Sequence, residues 1–109
     1  MPVEALSNEN YGEFVAEKNI AVVLFYAQWE HYHPYLRSLL EAAVEEFNGQ
    51  VNLGEVDVDA CMDIAVNMSL KNVPTVVYYE RGMPVESVIG VEANRNLSGR
   101  VKRMLAGAA

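Results

Sequence analysis

The chain has 109 residues, 51% of them hydrophobic and 21% charged, which is enough apolar material to bury the core of one domain, residues 1–109, and excludes a disordered tail. Eight Lys and Arg against fifteen Asp and Glu give a net charge of -7, which repels phosphate backbones and anionic bilayers and excludes nucleic acid and membrane as expected partners. No run approaches the roughly 18 apolar residues of a membrane span, and Met1-Pro2-Val3-Glu4 carries neither a basic nor an apolar leader region, so a cytoplasmic location is expected.

Pro2 to Ala5 reads as a short opening strand. Leu6, Tyr11, Phe14 and Val15 share a helical face that ends near Lys18-Asn19, with Ser7 placed to accept a hydrogen bond from a free amide of the first turn. Ala21 to Tyr26 is a continuous apolar run, too short for a buried helix and suited to a central strand covered on both faces. From Pro34, the residues Leu36, Leu39, Leu40, Ala43, Val44 and Phe47 form one helical stripe opposite Arg37, Glu41, Glu45 and Glu46. Asn48-Gly49 stops that helix, because both residues tolerate the left-handed conformation of a C-cap. Val51 to Val58 reads as a second buried strand. Ile64, Ala65 and Met68 define a short helix over Asp63 to Met68, ahead of Asn72-Val73-Pro74. Thr75 to Tyr79 and Val85 to Ile89 flank Arg81-Gly82 as an antiparallel hairpin, and Leu97, Val101, Met104 and Leu105 mark a closing helix over Asn96 to Ala106. This order predicts an α/β fold with a central mixed sheet and helices on both faces.

Two motifs carry the functional information: Trp29-Glu30-His31-Tyr32-His33-Pro34 after the central strand, and Val73-Pro74-Thr75 later in the chain. Together they resemble the thioredoxin family, which reads Trp-Cys-Gly-Pro-Cys after the same kind of strand and has a Pro-Thr pair further on. The resemblance covers essentially the whole chain and includes Glu55-Val56-Asp57-Val58-Asp59-Ala60-Cys61, which is similar to animal-type members. It implies the thioredoxin fold, a cis Val73-Pro74 bond, and a shallow peptide-holding groove made by Trp29, Tyr32, Val73, Pro74, Thr75, Gly90 and Val91. Glu30 and His33 stand at the two cysteine positions, and Leu24 stands where the family keeps a buried aspartate. Disulfide exchange needs an attacking thiolate and a leaving thiol, and neither a carboxylate nor an imidazole supplies one. The motif proline is also displaced from the position of Tyr32 to Pro34, so a helix start at Pro34 and a loop over Glu30 to His33 are expected.

The resulting expectation is a redox-inactive thioredoxin-like protein that binds a protein or peptide partner as an adaptor or assembly chaperone, with no catalytic residue, no cofactor and no metal. Cysteine-less family members that act as hydrogenase-assembly chaperones are the precedent. A divergent oxidoreductase working through Cys61 or a partner's thiols is the alternative, since a helix N-terminus lowers a thiol pKa; Asp57, Asp59 and Asp63 oppose this. A lesser alternative is a metal-binding module. In an extended stretch His31 and His33 point to one side, and with Glu30 they offer imidazole and carboxylate ligands. Trp29, Tyr32 and Tyr35 form an aromatic cluster suited either to an interface or to ordinary packing.

Overall fold

The computed structural model describes residues 3–107. The elements run β1 (Glu4–Ala5), α1 (Tyr11–Glu17), β2 (Ile20–Tyr26), α2 (His33–Val44) with a 3-10 turn over Glu45–Phe47, β3 (Val51–Asp57), α3 (Met62–Asn67), β4 (Thr75–Glu80), β5 (Met83–Ile89) and α4 (Leu97–Gly107). The expected opening strand keeps only Glu4–Ala5; Pro2 lies outside the described residues.

The five strands form one sheet in the order β1-β3-β2-β4-β5. Strand β2 pairs in parallel with β3, Ile20 opposite Val51 through Tyr26 opposite Asp57, and antiparallel with β4, Ile20 opposite Glu80 through Phe25 opposite Thr75. Its continuous apolar run follows from that position, because both faces of the central strand are covered. Ile20, Val22 and Leu24 pack with Leu36, Leu40, Leu97 and Val101 of α2 and α4. Ala21, Val23 and Phe25 pack on the opposite face with Phe14, Val15 and Ile64 of α1 and α3. The mixed sheet with helices on both faces is therefore as the sequence implies.

Local chemistry sets the boundaries. The helix α2 buries Leu36, Leu40 and Val44 and half-buries Leu39 and Ala43, so the expected stripe faces the core. Asn48 at φ 48° and Gly49 at φ 83° end it in left-handed backbone. Arg81 at φ 51° and Gly82 at φ 84° form the hairpin turn, with positive φ at both central residues matching the twist of the flanking strands. The first helix starts later than expected, at Tyr11, and Ser7 does not cap it. Instead the Ser7 amide donates to Asn10 Oδ1 at 2.7 Å, and the Tyr11 amide donates to the Ser7 carbonyl at 3.1 Å, so residues 7–10 close a turn of their own.

Leu24 has no solvent exposure, at the centre of the layer formed with α2 and α4. An aspartate there would be a buried charge without a partner, so Leu24→Asp is expected to destabilise the fold at pH 7 by about 3–5 kcal/mol, read from the urea midpoint. Burial raises the folded-state pKa of such a carboxyl. The deficit should therefore shrink as pH falls through that raised value, because the neutral acid costs less to bury. A midpoint matching the parent at pH 7 would show that position 24 is not a dry core site.

Candidate functional site

Four segments meet at the C-terminal end of β2. The Val58 amide donates to the Tyr26 carbonyl at 2.9 Å, Phe25 pairs with Thr75, and the Gly90 amide donates to the Pro74 carbonyl at 2.9 Å. Side by side across this end therefore lie Val58, the Tyr26-Ala27 exit, the Val73-Pro74 turn and Gly90-Val91. The Val73–Pro74 peptide bond is cis. Thr75 is buried, and its Oγ1 donates to the Asn72 carbonyl at 2.7 Å, closing the loop in front of β4. Pro74 is buried too, so of the expected groove residues these two shape the turn, while Trp29, Tyr32 and Val91 are exposed and Val73 and Gly90 are half-buried.

The segment after Trp29 is a turn rather than the expected loop. The Glu30 amide donates to the Ala27 carbonyl at 3.0 Å, Tyr32 is already in right-handed helical backbone, and α2 begins at His33. Pro34 falls in the first turn, where its missing N–H costs no helical bond, so the helix starts one residue before the proline.

That geometry decides the fate of the histidines. His33 is only 8% exposed, its ring stacked on Tyr26 at 4.4 Å between centroids and 22° between planes. Its Nδ1 lies 2.6 Å from the Glu30 carbonyl oxygen, and since a carbonyl only accepts, Nδ1 carries the proton and donates. Glu30 Oε2 accepts from the Tyr32 amide at 2.5 Å, and Oε1 lies 3.6 Å from His33 Nδ1. Beyond the stack, the Arg37 guanidinium sits 5.7 Å from the Tyr26 ring centre and its Nε donates to Glu55 Oε1 at 2.5 Å. Burial first, then the carboxylates of Glu55 and Asp57, push the Tyr26 phenol above its ordinary value. Glu30, His33, Tyr26, Arg37 and Glu55 thus form a packed series in which each side chain is held by its neighbour.

His31 is exposed while His33 turns inward, so the two do not converge as extended geometry would require. Among the described residues no three His, Cys, Asp or Glu side chains are arranged to hold a metal ion. Cys61 is buried in the layer with Leu6, Phe14 and Val15, with its Sγ 3.7 Å from the Leu6 carbonyl. Burial, reinforced by Asp57 and Glu9, pushes its thiol pKa up rather than down. Its location before α3 brings no activation, since α3 has only six residues and acidic neighbours surround it.

Tyr32 and Tyr35 pack edge to face, with centroids 5.5 Å apart, but Trp29 is separate from them as a ring contact. Trp29 instead lines a hollow of about 380 Å³ with Val58, Met62, Val66, Leu70 and Val73. Met62 and Val66 were not singled out by the helical face of Ile64, Ala65 and Met68. Their signal in the sequence is that they are apolar on the side of α3 that the periodicity assigns to solvent.

A sequence model of the family described as Thioredoxin matches residues 2–103. The chain belongs to the thioredoxin family. It is 23% identical over 105 residues to a thioredoxin of Staphylococcus saprophyticus, covering 96% of this chain and all of that one. It is also 23% identical over 104 residues to the chloroplastic thioredoxin M-type of Spinacia oleracea, covering 94% of this chain and 58% of the spinach protein. Among solved structures, a mutant thioredoxin from Halobacterium salinarum superposes with a TM-score of 0.80 at 23% identity, covering 94% and 92% of the two chains. The zinc-bound form of human ERp44 superposes with a TM-score of 0.79 at 27% identity, covering 93% of this chain and 31% of that one. Glu30 and His33 are in mutual contact at the entry of α2, and the single cysteine of the chain, Cys61, packs on the other face of the sheet with Leu6, Phe14 and Val15. No helix among the described residues is long and apolar enough to cross a membrane.

The raised thiol pKa has a sign that can be measured. Fewer thiolates at a given pH mean that Cys61 of the folded protein should react with iodoacetamide at pH 8 at least about tenfold more slowly than a free cysteine, and at the free rate in denaturant. Native labelling as fast as free cysteine would contradict its burial.

Proposed function

We propose that this thioredoxin-family protein is a redox-inactive binding adaptor or assembly chaperone that takes an extended protein or peptide segment across the surface where its relatives' motif cysteines lie. The observation that carries this reading is a combination at one end of the sheet. Trp29, Tyr32, Tyr35 and Val91 stay exposed there beside the Val73-Pro74 turn, while the two exchange positions hold a carboxylate and an imidazole engaged with each other. An exposed tryptophan lining an apolar hollow and an exposed tyrosine pair at the start of α2 suit an interface, because burying them removes large apolar area from water at small entropic cost. The catalytic thiols, by contrast, have no substitute: Cys61 is buried and its thiol is less ionised than normal.

Affinity capture from native cell extract tests this reading. Tyr32→Asp combined with Val73→Asp places two charges in the groove, and specific partner recovery should fall at least tenfold, about 1.4 kcal/mol, with circular dichroism and melting temperature close to the parent. Unchanged recovery would sink the groove. In parallel, insulin-disulfide reduction should not exceed buffer; activity that disappears in Cys61→Ser would replace the adaptor reading with an oxidoreductase working through that thiol.

A further inference from the structure

The hollow beside Trp29 has an apolar surface and one charge of each sign. Trp29, Met62, Val66 and Val73 supply apolar area, Asp59 lines the hollow from the turn after β3, and Lys71 lines it from the connection between α3 and β4. Met62 and Val66 are 63% and 69% exposed and pack in neither core cluster, so folding does not require them to be apolar. Asp59 and Lys71 are both exposed, and among the described residues neither side chain has an ion pair or hydrogen bond of its own. The nearby carboxylates are engaged or stand outside. Asp57 accepts from the Asp59 and Ala60 amides at 3.0 and 3.3 Å and from Gln28, Glu30 is held by the Tyr32 amide and His33, and Glu92 is paired with Arg95. Asp63, in the first turn of α3, is not part of the lining.

Backbone hydrogen bonds fix where the two free charges stand. The Cys61 amide donates to the Asp57 carbonyl at 2.9 Å and closes the turn that carries Asp59. The Leu70 amide donates to the Ala65 carbonyl at 3.1 Å and Thr75 Oγ1 donates to the Asn72 carbonyl at 2.7 Å, so Lys71 is bracketed on both sides. In the sheet order β3 and β4 flank β2, and their ends stand two strand spacings, about 10 Å, apart. Asp59 and Lys71 therefore form a dipole across the apolar surface. A segment of uniform charge gains at one of them what it loses at the other. A segment with one charge of each sign gains at both when the charges run in one order and loses at both in the reverse order. In an extended chain residues i, i+2 and i+4 share a face and span about 13 Å, so i and i+4 reach the two charges while i+2 meets the apolar surface.

Resting on the groove reading above, we infer that the hollow reads the order of charges along its partner. The segment it takes carries an apolar residue against Trp29, Met62, Val66 and Val73, a Lys or Arg two residues to one side facing Asp59, and an Asp or Glu two residues to the other side facing Lys71. Apolar burial supplies the affinity, and the charge pair fixes the direction in which the segment lies.

Fluorescence anisotropy of the full chain with three labelled peptides of about twelve residues tests it. They share a Leu-Val-Phe centre, flanked by Lys before and Glu after, by Glu before and Lys after, or by Gln on both sides. The first two have the same composition and net charge, so the -7 of the chain acts on both alike. One order should bind about fivefold or more tighter than the other at about 50 mM salt, with the Gln peptide between them and a smaller ratio at about 200 mM. In Asp59→Asn with Lys71→Gln the ratio should fall to within about twofold, and in Asp59→Lys with Lys71→Asp it should invert. Each ratio is taken within one variant, so a change in overall affinity cancels. Equal binding of the two orders by the parent chain, binding of no peptide, or a preference that survives neutralisation or fails to invert on exchange overturns the inference. Val73→Asp separates the two failures: if it abolishes binding of the Gln peptide while the two orders bind the parent equally, the groove stands and only the reading of charge order fails; if it leaves all peptide binding intact, the groove itself fails. Sedimentation showing a self-associated chain that excludes the peptides would assign the surface to a second copy and overturn the inference as well.

Discussion

Seven consecutive residues, Ile20 to Tyr26, lie at the middle of the sheet with helices over both faces and a hydrogen-bonded strand on either side. A one-residue slip would turn Leu24 and Val22 toward α1 and α3 and exchange the two cores, so the register is strongly fixed. Everything at the functional end hangs on that register. Because Tyr26 pairs with Asp57 and Phe25 with Thr75, the chain leaves β2 between Val58 and the Val73-Pro74 turn. Residues distant in sequence reach one place because a rigid central strand delivers them there.

The same strand anchors the packing at the entry of α2. Leu24 places an apolar side chain at the middle of the α2 and α4 side, among Val22, Leu36, Leu40 and Val76. One turn beyond the strand, His33 fills the entry of α2 by stacking on Tyr26 and donating to the Glu30 carbonyl, while Arg37 and Glu55 close the other side of Tyr26. A ring that donates to the Glu30 carbonyl and a carboxylate held by the Tyr32 amide form a packed plug at the helix entry. Several apolar side chains stay exposed around the plug: Trp29, Tyr32, Val91, and Met62 and Val66 on α3.

Much of this was legible in the sequence, for identifiable reasons. The run Ala21 to Tyr26 is continuous, short and rich in Val and aromatics, as suits a strand covered on both faces, and the stripe from Leu36 to Phe47 has a helical period with a left-handed stop at Asn48-Gly49. Arg81-Gly82 announces its own turn. The site was less legible. An extended reading of Glu30 to His33 put both histidines on one side, whereas a turn running into α2 sends His33 inward and His31 out. Nothing local distinguishes a histidine that stacks on a tyrosine seven residues back from one that faces water; only the path of the turn does. The cap at Ser7 failed for a similar reason, since Asn10 competes for the same turn and wins through a side-chain bond. Pro74 and Thr75, expected in the groove, lie beneath its surface, a distinction of depth that sequence motifs do not carry.

The central claim is that this end of the sheet, rather than any other surface, holds the partner. Amide chemical-shift mapping of the labelled chain during titration with an extended apolar peptide tests it most directly. The expected result is a contiguous set of perturbed amides at Trp29 to Tyr32, 58–66, Val73, Gly90 and Val91, with α4 and the outer edge of β5 unmoved. Perturbations centred instead on Met83 to Val85 or on α4, with Trp29 and Val73 unchanged, would contradict it.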